Sequence, residues 1–280
     1  MREYVYRKHL RKPGKYLILI ICLILSIILE LGLIYYFRAN DKDKAFIAGL
    51  FLGILVMILI IIGIEFLVLY FLMFRKFKKV KVCLTDDGIT YDNLKGNEFI
   101  AYESIEVIKF PSIRYVGGWV KIKSNNKTIR LTVVLEKIGD FMEELKKQLD
   151  IRGMDKVYSE KKVYNFCKTA TYSDQSWERI YEKFKIMVFV YILSMLIAFG
   201  YSVFINPYSP LLLNILIIML YPFAGSILAE IILGFKLSNR IKDEGYIVSN
   251  RNKDEENKIY KISYTVLGIL LVAILLIMMI

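Results

Sequence analysis

The sequence is poor in the residues that carry most enzyme chemistry. It has one histidine, His9, set in a basic N-terminal stretch. A histidine base and a histidine-rich metal site are therefore not expected. The three cysteines, Cys22, Cys83 and Cys167, stand at spacings that suit neither zinc nor a disulfide framework. They read as reduced thiols, with Cys167 in a polar linker. There is no P-loop, no His-Glu-x-x-His and no Gly-x-Ser-x-Gly. No catalytic residue, cofactor or metal follows from the sequence, and the chain reads as a non-enzyme.

What is abundant is apolar sequence. Hydrophobic residues make up 56% of the 280, and they come in blocks. A helix needs about 20 apolar residues to cross roughly 30 Å of hydrocarbon. Five blocks qualify: 16–37, 45–74, 186–205, 211–235 and 262–280. No repeat relates the first two to the last three, so an inverted-repeat transporter is not expected. The net charge of +12 sits mostly beside these blocks. That placement points to anionic lipid of the inner leaflet as the partner, and not to nucleic acid.

The charges also orient the chain. Basic residues cluster before 16, after 74, before 186, after 235 and before 262. The positive-inside rule then puts the N-terminus in the cytoplasm and the C-terminus outside. Only Arg38, Lys42 and Lys44 fall on the outer side. The block 16–37 has a signal-like start, but it is too long and has no cleavage site, so it reads as an uncleaved anchor. Abundant Ile, Lys, Asn and Tyr suggest an AT-rich bacterial genome, and the plasma membrane is the expected location.

The expected organisation has five parts: a basic cytoplasmic tail (1–15), a two-helix hairpin (16–74), a β-rich cytoplasmic domain (79–150), a cytoplasmic linker with an amphipathic helix (151–185), and three further spans (186–280). Within the β-rich domain apolar residues alternate at strand period. Val80, Val82 and Leu84 share a face. Asp86-Asp87-Gly88 is a turn, with Gly tolerating positive φ and Asp capping. Ile89 and Tyr91 follow, then a turn over 93–97, then Phe99 and Ala101. Ile105 and Val107 begin a fourth run. Val120 and Ile122 point inward opposite Ile129, Leu131 and Val133. The period then becomes helical, with Ile138, Phe141, Met142, Leu145 and Leu149 in one stripe. Six strands and a closing helix make a small α+β unit.

The runs Leu84-Thr85-Asp86-Asp87-Gly88-Ile89 and Ile100-Ala101-Tyr102-Glu103-Ser104-Ile105, with the helix around Phe141, resemble the bacterial pleckstrin-homology-like domains found beside membrane spans. The resemblance covers about a quarter of the chain. It implies the pleckstrin-homology fold, which has seven strands, and a non-enzymatic role in binding a protein partner or the inner leaflet. Some relatives of this kind act in resistance to membrane-active peptides, and the resemblance implies a role in membrane stress or peptide resistance here. The acidic first hairpin departs from lipid-binding members, because Asp86 and Asp87 repel phosphate.

Several residues are candidates for function. Glu30, Glu65 and Glu230 lie inside apolar blocks, where a carboxylate costs about 2.5–3.5 kcal/mol. No Lys or Arg lies within a block to pair with them. Glu65 and Glu230 at matched depth fit an accessory or ion-coupled transport component. Equally, each fits a neutral carboxyl bonded to a neighbour. Ser226 shares a helix face with Glu230. Gly225 and Ala229 permit close helix approach, as does the pair Gly49 and Gly53. Trp177 belongs to an amphipathic stretch that is either interfacial or the first turns of a longer helix. Trp119, Arg114 and Tyr115 read as contacts to lipid or partner, or as an ordinary hairpin.

Overall fold

A computed structural model describes residues 2–113, 117–125, 127–208, 210, 220–244 and 251–278. Arg114, Tyr115 and residues 211–219, the start of the fourth expected span, lie outside the described residues. The elements are β1 (Arg2–Val5), α1 (Lys8–Arg11), α2 (Pro13–Arg38), α3 (Asp41–Leu69), α4 (Arg75–Lys79), β2 (Lys81–Leu84), β3 (Gly88–Asn93), β4 (Gly96–Ala101), β5 (Ile105–Lys109), β6 (Ser112–Ile113), β7 (Gly117–Ser124), β8 (Lys127–Thr132), α5 (Ile138–Ile151), α6 (Glu160–Gly200), α7 (Leu220–Glu244) and α8 (Lys253–Ile277). They divide into two compact units.

The first unit comprises Met1–Lys15, Val68–Glu178 and Leu237–Arg251. Strands β1 to β4 form one antiparallel sheet in that order. Strands β5, β7 and β8 form a second, with β6 pairing the start of β7. Both sheets and α5 share one core, in which Val82, Ile89, Val120, Ile122, Ile129 and Leu131 are fully buried. All five residues of the α5 stripe are buried there too.

Four local expectations change. The first fifteen residues are not a free tail. Arg2–Val5 pairs with Lys81–Leu84, so Tyr4 and Tyr6 alternate into the core. Residues 2 to 6 thus supply a strand that the count of six lacked. At β4 the buried residue is Ile100, while Phe99 is exposed. The reason is register: Ile100 lies directly opposite the buried Ile89, and opposed residues share a face. Gly88 is needed for space, because a Cβ there would lie 2.2 Å from the Ile100 carbonyl oxygen. The cap of that turn is Thr85, whose hydroxyl donates to the Gly88 carbonyl and accepts from its N–H. Positive φ falls instead on Gly96 in the next turn. Finally, the expected linker is mostly helix. Val163, Phe166, Cys167 and Ala170 of α6 are buried in the same core, so Cys167 is a packed core residue.

The second unit comprises Tyr16–Leu67, Arg179–Lys236 and Asn252–Ile280. Among the described residues, five helices are long and apolar enough to cross a membrane. Their starts follow ordinary capping rules. Pro13 opens α2, where its missing N–H costs nothing. Asn252 caps α8 by accepting from the Glu255 N–H at 3.1 Å. α6 runs unbroken from Glu160, so the Trp177 stretch belongs to one long helix. It ends in a π-helical turn, Tyr201–Ile205. There the Arg38 guanidinium donates to the carbonyls of Ser202, at 2.8 Å from Nε, and of Asn206, at 3.1 Å. A cation at a helix C-terminus satisfies carbonyls that lack intrahelical partners. Arg38 therefore has a structural reason to stand among the few basic residues of its loop.

Packing differs sharply between helices. No residue of α3 is buried. Nothing lies within 4 Å of a Cβ built on Gly49 or Gly53, so that pair is not a packing face among the described residues. Gly225 of α7 is the opposite case. A Cβ there would sit 2.5 Å from the Tyr264 ring of α8. The Tyr264 ring occupies this gap, and its hydroxyl donates to the Pro222 carbonyl at 2.8 Å. Ala229, one turn on, is fully buried beside Ile259 and Tyr260.

Candidate functional site

The most connected polar site lies in the second unit, where three helices each contribute a charge. Arg179 of α6 is 2% exposed. Its Nε and Nη2 donate to the two carboxylate oxygens of Glu230 on α7, at 2.8 and 2.7 Å. Its Nη1 donates to Glu256 of α8 at 3.2 Å. The Tyr260 hydroxyl, one turn beyond Glu256, donates to Glu230 Oε1 at 2.7 Å. The planar guanidinium meets the carboxylate edge-on with two parallel bonds, a geometry an ammonium cannot reproduce. Buried charges are tolerated only when so paired.

This corrects the reading of Glu230. A basic partner exists, but it stands before the third apolar block, so no scan within blocks finds it. Ser226 shares the helix face of Glu230 but bonds elsewhere. Its hydroxyl pairs with that of Tyr264 at 2.7 Å. Since Tyr264 spends its only proton on Pro222, Ser226 is the donor in that pair. Glu65 is exposed, and among the described residues nothing joins it to Glu230. Glu30 is 5% exposed, and among the described residues neither of its carboxylate oxygens has a hydrogen-bond partner.

The first unit holds a second buried contact. Arg7, 3% exposed, pairs with Asp174 of α6. Asp174 also accepts from the Lys137 N–H at 3.3 Å. Beside it, His9 stacks on Trp177 with ring centroids 4.1 Å apart. Trp177 is therefore a partner of the N-terminal segment. Trp119 is half-buried in β7, opposite Thr132. A cleft of about 510 Å³ beside α5 is lined by Arg2, Thr85, Asp86 and Glu144, among others. Its carboxylates disfavour a phosphate ligand.

The His9 contact has a pH signature. Burial, and next the Arg7 guanidinium, lower its pKa to about 4. An unfolded histidine takes its proton at about pH 6.5. The unfolded state thus binds more protons between those values. The stabilisation is full above about pH 6.5 and is lost as pH falls toward 4. Because His9 is only half-buried, screening reduces the effect to about 1 kcal/mol. Trp177 fluorescence, read in a Trp119→Phe background, should change over this window, and His9→Phe should flatten the profile.

Among the described residues no group of three or more His, Cys, Asp or Glu is placed to hold a metal ion. No family model, no curated protein and no solved structure matches the chain.

Proposed function

We propose that this chain is an integral protein of the bacterial plasma membrane, crossing it five times with the N-terminus inside. In this reading its first unit is a pleckstrin-homology-like domain that docks a protein partner, with no catalysis of its own. The observation that carries the proposal is the order of the first unit: a four-stranded antiparallel sheet, then a second one of β5 to β8 in which β6 is only two residues long, then a closing helix, with β1 at the N-terminus and β2 only after the apolar hairpin. A domain threaded this way is joined to the hairpin at both of its ends.

Two further features support it. The large apolar side chains of α3 are exposed along its length, and water penalises such a surface at about 25 cal/mol per Å². Lipid tails remove that cost. Lys8, Lys12, Lys15, Arg75, Lys76, Lys78 and Lys79 are also exposed at the ends of the hairpin. Each such residue near an anionic leaflet contributes about 1 kcal/mol. The acidic lining of the cleft favours a basic protein segment over a phosphoinositide headgroup.

The test has two arms. The protein should stay with membranes through alkaline carbonate washing, and protease should reach β7 only in inside-out vesicles. Release by carbonate, or cleavage from the outside, would overturn the topology. For the role, a deletion strain should be more sensitive to cationic membrane-active peptides, and β1-deleted protein should not restore resistance. Equal killing of wild-type and deletion strains by several peptides would count against it.

A further inference from the structure

We infer that Glu30 is a proton-binding site, held as a neutral carboxylic acid that can release and retake its proton. The inference is independent of the docking role proposed for the first unit.

Glu30 sits on α2 within the second unit and is 5% exposed, with both oxygens unpartnered among the described residues. An isolated carboxylate in such a place costs far more than a neutral carboxyl, which needs only one acceptor. One turn earlier on the same face is Ser26. Its hydroxyl donates to the Leu23 carbonyl at 2.8 Å and meets the Tyr191 hydroxyl of α6 at 3.1 Å. Tyr191 in turn donates to the same Leu23 carbonyl at 3.2 Å. Whichever way the shared contact is oriented, both hydroxyl protons are used within this group of Ser26, Tyr191 and the Leu23 carbonyl. An ionised Glu30 would find no free donor there.

The charged groups around it agree. Tyr191 is the ionisable side chain whose field Glu30 shares. Arg38, two turns along α2, is engaged with the carbonyls of Ser202 and Asn206. No charged side chain among the described residues acts on Glu30. Glu230, the half-buried carboxylate of α7, is instead held ionised against Arg179. Glu30 and Glu230 are therefore in opposite protonation states, and of this pair Glu30 has the proton to exchange.

Dicyclohexylcarbodiimide, which adds to protonated carboxyls in apolar surroundings, distinguishes them. Treat the full chain in detergent at about pH 6 and map the adduct by mass spectrometry. Glu30 should label at least about tenfold faster than Glu230, one pKa unit of difference being a factor of ten. Its labelling should fall on moving to about pH 9. Glu30→Gln, which keeps shape and neutrality, should fold with an unchanged melting midpoint and lose both the adduct and a protonated-carboxyl infrared band. Absence of label on Glu30 would overturn the inference. So would a Glu30→Gln midpoint well below wild type, since it would mean that the charge is needed. Labelling that sodium ions suppress at constant pH would reassign the site to a metal cation.

Discussion

Arg179→Met is expected to destabilise the helical unit by about 3–5 kcal/mol, more than any other single side-chain change proposed for it. Methionine matches the length of the arginine stem, so little packing is lost. What is lost is the guanidinium that joins two carboxylates, Glu230 and Glu256, only 15% and 7% exposed. The loss comes from removing that charge pairing at low exposure, and this makes the effect reversible in a defined way. Adding Glu230→Gln and Glu256→Gln to Arg179→Met should recover most of the melting midpoint, measured by circular dichroism in detergent. Arg179→Lys should fall between, because one ammonium cannot make the two parallel bonds. If the triple variant is no more stable than Arg179→Met alone, the cluster is not held by charge pairing.

That cluster explains how far the sequence reads. Glu230 was visible as an anomaly, since a carboxylate in an apolar block always demands an account. Its partner was not. Arg179 lies 51 residues earlier and Glu256 is 77 residues from Arg179. Helical periodicity relates residues three or four apart on one helix and says nothing about which helices meet. In the sequence Arg179 is one of the basic residues that precede the third apolar block, and nothing sets it apart from its neighbours. The clue within reach was the spacing of Glu256 and Tyr260, which puts a carboxylate and a hydroxyl on one face of the last helix. Glu65 shows the converse. It looked like the twin of Glu230 by depth, yet it is exposed, because no residue of α3 is buried.

The sheets were more legible where the chain is local. The β2–β3 and β7–β8 hairpins join strands separated by short turns, and alternation placed their inward residues correctly apart from the register-dependent choice at β4. β1 escaped notice because its partner is some eighty residues away, beyond two long helices. Its basic neighbours also gave it the look of a solvated, lipid-facing tail. The alternation of Tyr4 and Tyr6 was the available signal, but a run this short is below what periodicity can separate from chance.

Removing residues 2–6 should therefore undo the β domain, although the deletion touches none of its other strands. Tyr4 and Tyr6 are 2% and 3% exposed. Burial of each is worth roughly 2–3 kcal/mol at ordinary transfer values. Tyr4 also lies edge-on to Phe141 of α5, so its loss leaves a cavity on the closing helix. The ladder to β2 goes with it, baring the N–H and C=O groups of that strand's edge. The sum, about 5 kcal/mol or more, is comparable to the whole stability of a small domain. Cys83 reports the change directly. It lies opposite Glu3 in the β1–β2 register and is half-buried. With Cys22 replaced by serine, the deletion should raise the rate at which a maleimide labels Cys83 by at least about tenfold, and the core residue Cys167 should become reactive as well. Replacing Arg2 and Glu3 alone, which are exposed, should leave both rates near wild type. Equal labelling of deleted and intact chains would mean that β2 is covered by something other than the N-terminal strand.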